Sequence, residues 1–551
     1  RVYDSTFVRH WDEWNSSSGE EEDGFEKIDE REGRWGFERE LIKGSEYGTA
    51  EKECPVGPFG SASDYTLSPE SLVIHAKDPN VSPSWHTRTN VYQLALDPRS
   101  SSDREPKLLS IGTQGASSSP VFSPDYKSIA WLEMREDGYE ADRNRVIVYD
   151  VASGKRTGLT EKWDLSPSNL EWTRDGKSLL ATTEDRGHVV LYQVSVGGGG
   201  GGGGASTAKE EEEEPKKLTE RDSVSGVVPL EDGKVLLSIS SYTSPNELYL
   251  LSVSPATPAE STTRDLRLVS SLTRHLLKHK SLSTGEEFLF LGSEGQEVHG
   301  WILFPPTISS NPSTKPSERS LPLANLCHGG PQSSWSSSWS TRWNPQSYTA
   351  RGYVTVMINR RGSTGFGQKF CDEIQMDWGG KPFRDLVAGI EYVKKTYKEV
   401  DPERMASLGA SYGGYMQNWI QGHNDAFGFK CLVCHDGVFS LAQTYYSTEE
   451  LYFPTREFGG APWEVPQNYE KFSPTNFVSQ FKTPQLNIHG SRDYRLVESE
   501  GLSVFNTLQR LGVPSRLLVF PSENHWVLSP LNSLKWHEEV FRWIGEWTNT
   551  N

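Results

Sequence analysis

Three residue types in the C-terminal half are spaced to make and break an acyl bond. Ser411 lies in Gly409-Ala410-Ser411-Tyr412-Gly413-Gly414, after the apolar run 405–408 and before a helix-compatible stretch that begins at Tyr415. A G-x-S-x-G between strand and helix forms a strained turn that lifts the serine hydroxyl clear of its surroundings. The glycines flank it because side chains there would clash. A serine hydroxyl is a poor nucleophile until a base takes its proton, and the base needs a carboxylate to orient it. Asp493 follows the apolar strand 485–489, and His525 follows the strand 516–520. The order Ser, Asp, His is one that such triads take. Both partners fall just past the C-terminal ends of strands, where α/β sheets carry their sites. With 50 glycines in the chain a lone G-x-S-x-G is also met as an incidental turn; the ordered partners lift it above that.

A charge that develops on a carbonyl oxygen needs donors. The strand-like run Ala324-Asn325-Leu326-Cys327 ends in His328-Gly329-Gly330-Pro331, and such a loop can bring the Gly330 N–H, with that of Tyr412, against an oxyanion. His328 is a rival base, read here as a brace for its loop, and His489 is read as buried structure. Cys431-Leu432-Val433-Cys434-His435 matches the C-x-x-C-H haem-attachment pattern. Inside the apolar run 429–439 it reads as a strand instead. The proposed chemistry requires no metal and no organic cofactor.

The elements that must position these residues divide the chain. Beyond residue 280, apolar strands at 323–327, 353–359, 405–409, 431–434, 485–489 and 516–520 alternate with helix-like stretches at 383–396, 498–511 and 534–547. That alternation predicts a mainly parallel α/β sheet over 281–551. Residues 1–280 hold short alternating strands instead. A polar turn before an apolar strand recurs around Pro69, Pro124, Arg174 and Glu231, at steps of 55, 50 and 57 residues. A fixed period of several strands predicts β-propeller blades, four or five here, because one blade cannot bury both its faces alone. A β-sandwich with long loops is the blander alternative. Eight consecutive glycines at 197–204 and five glutamates at 210–214 cannot pack, so 197–214 reads as a solvated insertion rather than a cation site. The Pro- and Ser-rich segment 303–322 reads as a surface loop.

Several motifs together resemble one family. His328-Gly329-Gly330-Pro331, Asn359-Arg360-Arg361-Gly362-Ser363-Thr364-Gly365-Phe366-Gly367, the stretch 409–416 around Ser411, His489-Gly490-Ser491-Arg492-Asp493-Tyr494-Arg495-Leu496 and Glu523-Asn524-His525-Trp526 are similar to motifs of the prolyl oligopeptidase family, in that family's order. The opening Arg9-His10-Trp11-Asp12-Glu13-Trp14 resembles its fungal dipeptidyl-peptidase 5 branch, near the acylaminoacyl peptidases. The resemblance implies a β-propeller beside an α/β-hydrolase domain. It implies Ser411 as nucleophile, Asp493 as carboxylate, His525 as base, Gly330 and Tyr412 as oxyanion donors, and Arg495 as a grip on a substrate carbonyl, with a surface salt bridge as the alternative for Arg495. The substrates implied are short peptides that lose N-terminal dipeptides. Acylaminoacyl peptidase, oligopeptidase and carboxylesterase action use the same triad. A propeller interaction protein with an idle hydrolase domain is the alternative of another class. The acidic groups that would hold a substrate ammonium are not identifiable in the sequence.

Composition bounds the rest. The chain has 551 residues, a net charge of −18, 35% hydrophobic and 11% aromatic residues. That length predicts two or three domains. The aromatic content excludes a disordered chain, and the acidity argues against nucleic acid as a partner. Setting aside glutamates 210–214 still leaves a net charge of −13. No run of 18 apolar residues predicts a membrane span. The sequons at Asn15 and Asn80 would matter in a secreted protein. The chain starts at Arg1 without an initiator Met or a signal segment. The expectation is therefore a lost N-terminal part, an incomplete propeller and a secreted protein, with a cytoplasmic one as the alternative. Homo-oligomer formation stays open.

Overall fold

The computed structural model describes residues 54, 61–96, 106–197, 213–253, 266–306 and 320–550. Asn15, the motif at 9–14, most of the insertion at 197–214 and the loop 307–319 lie outside the described residues. The chain parts into two compact units, Arg1–Asp137 with Ile147–Thr157, and Gly138–Val146 with Gly158–Asn551.

Among the described residues, the N-terminal half forms four four-stranded meanders. The first runs through Tyr65–Leu67, Ser71–Lys77, Thr89–Ala95 and Lys107–Leu108, and the second through Ser117–Phe122, Ser128–Glu133, Arg145–Asp150 and Arg156–Gly158. The third comprises Pro167–Trp172, Ser178–Asp185, His188–Ser195 and Lys216–Lys217, and the fourth Ser223–Pro229, Lys234–Ser241, Ser244–Ser252 and Leu266–Leu268. These last two meet through a single parallel pair, Val189 with Ser223. Each recurring turn phrase of the sequence joins the first and second strands of one meander. The closing bonds repeat: Ser68 N–H to Ser71 O at 2.8 Å, Ser123 N–H to Ser128 O at 2.8 Å, Thr173 N–H to Ser178 O at 2.9 Å and Leu230 N–H to Lys234 O at 2.8 Å. In two of them an aspartate side chain tightens the turn, Asp125 for Lys127 N–H and Asp175 for Lys177 N–H, both at 3.1 Å. Asn80 is exposed, its amide donating to Asp78 at 3.1 Å.

Among the described residues of the C-terminal half, eight strands form one sheet. Its strands are β1 Gly285–Leu291, β2 Glu297–Leu303, β3 Leu321–Cys327, β4 Val354–Asn359, β5 Val400–Ala410, β6 Cys431–His435, β7 Gln485–Gly490 and β8 Ser515–Phe520. They lie in the order β1-β2-β4-β3-β5-β6-β7-β8. β2 is antiparallel to β1 and β4, and the rest are parallel. A parallel sheet must be covered on both faces. Alternate residues accordingly enter two cores. Leu323, Val354, Val356, Ile358 and Met405 pack with Leu386, Ile390 and Val393 of helix α1 (Lys381–Thr396) and with Tyr415, Met416 and Ile420 of α2 (Tyr412–Gln421). Ala324, Leu326, Met357, Ala406 and Leu408 pack on the other face with Trp536, Val540, Trp543 and Ile544 of α6 (Pro530–Thr548). Between these lie α3 (Leu441–Ser447), α4 (Tyr452–Phe458) and α5 (Glu498–Leu511).

Register places the site. Cys327 is paired with Gly409, Gly409 with Cys434, His435 with Ile488, and Gly490 with Phe520. The C-terminal ends of β3, β5, β6, β7 and β8 therefore lie at one edge of the sheet, and the loops that leave them hold Gly330, Ser411, Asp493 and His525.

Candidate active site

The elbow between β5 and α2 holds Ser411 at φ 60° and ψ −122°, a region an L-residue occupies only when its surroundings force it. The forcing contacts are visible. Ser411 N–H donates to His435 O at 3.0 Å, and Ser411 C=O accepts the Tyr415 N–H at 2.8 Å. A β-carbon on Gly413 would stand 2.3 Å from Cys327 O, so only glycine lets α2 start this close to β3.

The histidine and its carboxylate are joined. His525 Nδ1 lies 2.6 Å from Asp493 Oδ2, and both residues are buried. Asp493 Oδ1 accepts the N–H groups of Arg495 at 3.0 Å and Leu496 at 2.9 Å. Behind this pair lies buried Asp436. Burial alone would push its carboxyl up, but His435, His489 and His525 hold it below the ordinary range. His435 Nε2 is 2.9 Å from Asp436 Oδ2, and Gly490 N–H donates to Asp436 Oδ1 at 3.2 Å. Asp436, His489 and Asp493 offer ligand atoms within 4.8 Å of one another. Asp493 is already committed to His525 and two N–H groups, so the cluster reads as a support of the histidine rather than a cation site.

On the other side of Ser411, Gly330 has φ +107°, and a β-carbon there would lie 2.4 Å from Gln332 N. Among the described residues, neither the Gly330 nor the Tyr412 N–H has a hydrogen-bond acceptor. Arg360 ties these two donors together. It is fully buried, its guanidinium donates to His328 O at 3.2 Å and Pro331 O at 3.3 Å, and it lies 4.1 Å from the centre of the Tyr412 ring. Sequence reasoning missed this role, although Asn359-Arg360-Arg361 stood among the quoted motifs. His328 is buried between Gly329 O at 2.8 Å and Ser363 Oγ at 2.9 Å. Burial and the Arg360 charge hold its imidazole well below the ordinary range, so it braces the loop as a neutral ring. His489 Nε2 donates to Leu496 O at 2.7 Å inside the core. Cys431 and Cys434 form strand β6 with His435; burial pushes the Cys434 thiol up to about 12. All five cysteines are buried and free.

Ser411, His525, Gly330, Tyr412 and Arg495 line one cavity of about 360 Å³. Its apolar wall includes Trp378, Val438, Leu441, Phe453 and Phe458. Its opposite character comes from two carboxylates that sequence reasoning did not find, Glu140 and Glu450. Glu140 arrives on the segment Gly138–Val146, which folds into the same compact unit as the sheet. Tyr139 anchors that segment: its hydroxyl donates to Asp372 at 2.7 Å, and the Arg456 guanidinium lies 4.2 Å from its ring centre. Tyr452 of α4 donates to Glu140 Oε2 at 3.2 Å. Desolvation of the carboxyl in the cavity, followed by the Glu450 charge, raises Glu140 above its ordinary value. Arg495 is paired with Glu450, and its guanidinium lies 5.4 Å from the Trp526 ring centre.

Residues 339–551 match the model of the prolyl oligopeptidase family. Dipeptidyl-peptidase 5 of Schizosaccharomyces pombe is 41% identical over 555 residues, which cover 99% of this chain and 75% of that protein. The chain belongs to the prolyl oligopeptidase family. A probable dipeptidyl-peptidase 5 of Aspergillus clavatus is 38% identical and covers 100% of this chain and 73% of its own length. Among solved structures, the uncomplexed acylaminoacyl peptidase of Pyrococcus horikoshii superposes with a TM-score of 0.70 at 21% identity, over 88% of this chain and 70% of that one. That last likeness is one of fold. As a member of the prolyl oligopeptidase family with these relatives, the chain is a serine-type peptidase.

Proposed function

We propose that this peptidase releases N-terminal dipeptides from short peptides through an acyl-enzyme on Ser411. His525, held by Asp493, takes the Ser411 proton as Oγ attacks the scissile carbonyl. The Gly330 and Tyr412 N–H groups receive the oxyanion, His525 then protonates the leaving amine, and water clears the acyl group. The carrying observation is the pair Glu140 and Glu450 in the cavity of Ser411. Two carboxylates can pair with a free ammonium, whereas a blocked, uncharged terminus would leave them without a counter-charge. They therefore favour a dipeptidyl peptidase over an acylaminoacyl peptidase. Arg495, paired with Glu450, would hold a substrate carbonyl.

We read the four meanders as propeller blades that admit only short or extended chains; their repeated turn supports this. The reading extends to a secreted protein with an N-glycan on exposed Asn80, and a mass shift on glycosidase treatment tests that part. For the reaction itself, the test is labelling by a fluorophosphonate probe. Stoichiometric labelling of Ser411, absent in Ser411→Ala, is expected. Equal labelling of both proteins contradicts the assignment.

A further inference from the structure

The catalytic cavity continues into a second one of about 230 Å³. The two share Gly329, Ser333, Arg342, Trp343 and Ala410. Ala410 precedes the nucleophile, and a β-carbon on Gly329 would lie 3.2 Å from Ser411 Cβ, so the junction lies beside Ser411. Neither Glu140, Glu450 nor Arg495 lines the second cavity, whose wall includes much of the serine-rich loop 333–340. A substrate whose ammonium sits at the two glutamates and whose scissile bond sits at Ser411 would send its leaving part this way.

Arg342 is the one charged side chain that lines both cavities. Its backbone is fixed: the N–H donates to Ser340 Oγ at 3.1 Å, and the carbonyl lies 3.2 Å from His537 Nε2. Its guanidinium donates to no group among the described residues. The negative charge that acts on it is that of Asp436, a carboxylate already engaged by His435 and Gly490. A half-buried guanidinium with free donors suits a carboxylate, which it can grip with two parallel bonds.

We infer that Arg342 binds a carboxylate on the leaving side of the cleaved bond. The preferred substrates are then peptides with a negative charge close behind the second residue, supplied by the free C-terminus of a very short peptide or by an acidic side chain. This inference rests on the dipeptide-releasing reading above.

The test compares kcat/KM of the intact protein on four substrates: Lys-Ala-Gly free acid, its C-terminal amide, Lys-Ala-Glu amide, and a Lys-Ala arylamide as the reference for dipeptide release. The free acid should exceed the glycine amide by roughly tenfold or more, the size of one charge-assisted contact. An equal advantage for the glutamate amide assigns the site to any carboxylate; an advantage of the free acid alone assigns it to the C-terminus. Equal rates on acid and both amides, with the arylamide still cleaved, overturn the inference and leave the dipeptidyl reading standing. An uncleaved arylamide overturns both. In Arg342→Gln the acid-to-amide ratio should fall towards one, and in Arg342→Lys it should largely persist. A ratio unchanged in Arg342→Gln removes Arg342 from the role. The comparison within the unaltered protein decides even where a variant fails to fold.

Discussion

Asp493 grips His525 with one oxygen, 2.6 Å from Nδ1, while its other oxygen is held by two backbone N–H groups. The carboxylate is thus fully used, and it can only present the histidine with Nε2 free for a serine proton. Asp493→Asn keeps the shape but offers an amide that can stabilise the wrong tautomer. It should lower kcat by about 10³- to 10⁴-fold with little change in KM, measured by steady-state kinetics on a dipeptidyl arylamide.

Glu140→Gln removes one of the two charges that face a substrate ammonium. A lost charge-assisted bond of about 1.5–3 kcal/mol corresponds to a rise in KM of roughly 10- to 100-fold for substrates with a free N-terminus. Acetylated substrates should lose nothing. The pH dependence has a defined sign. The Glu140 carboxyl lies above its ordinary value because of desolvation and the Glu450 charge, so it takes up a proton early as the pH falls, and KM for free-amine substrates should rise on that limb. On the alkaline side KM should rise again as the substrate's own amine loses its proton near about 8. The acid limb should weaken in Glu140→Gln.

Arg360 joins the carbonyls of His328 and Pro331 to the Tyr412 ring. Lysine keeps the charge but cannot reach both carbonyls and stack at once. Arg360→Lys should reduce kcat by about 10-fold or more, as a misplaced oxyanion donor does, while fluorophosphonate labelling of Ser411 slows in parallel. Unchanged kcat would remove Arg360 from the positioning of the oxyanion donors.

Gly413→Ala places a methyl 2.3 Å from Cys327 O, a backbone atom that cannot step aside. The strain should cost about 3 kcal/mol or more and lower the melting temperature by several degrees, read by calorimetry. A mutant as stable as the parent would mean that α2 does not abut β3 this closely.

The parts of the site that can be read in the sequence are those coded locally. Ser411, Asp493 and His525 each sit in a short phrase just beyond an apolar strand, and the parallel register of β5, β7 and β8 brings such strand ends together. The four turn phrases of the N-terminal half also act locally, as the first hairpin of each meander. Glu140 carries no such signal. It is one acidic residue among many, in a loop between two strands of the second meander, and only the docking of Tyr139 on Asp372 and Arg456 brings it to the cavity. Glu450 lies between two short helices with nothing in its spacing to mark it. Arg495 was visible as a residue, but its partner was not, because a pair across a loop leaves no pattern along the chain.

The central claim is that the triad of Ser411, Asp493 and His525 works on peptides with a free ammonium terminus. It is tested most directly by measuring kcat/KM for Lys-Ala and acetyl-Ala arylamides side by side. The account predicts release of the arylamine from the Lys-Ala substrate, and at least about 100-fold less from the acetylated one. Cleavage of the acetylated substrate alone would contradict it.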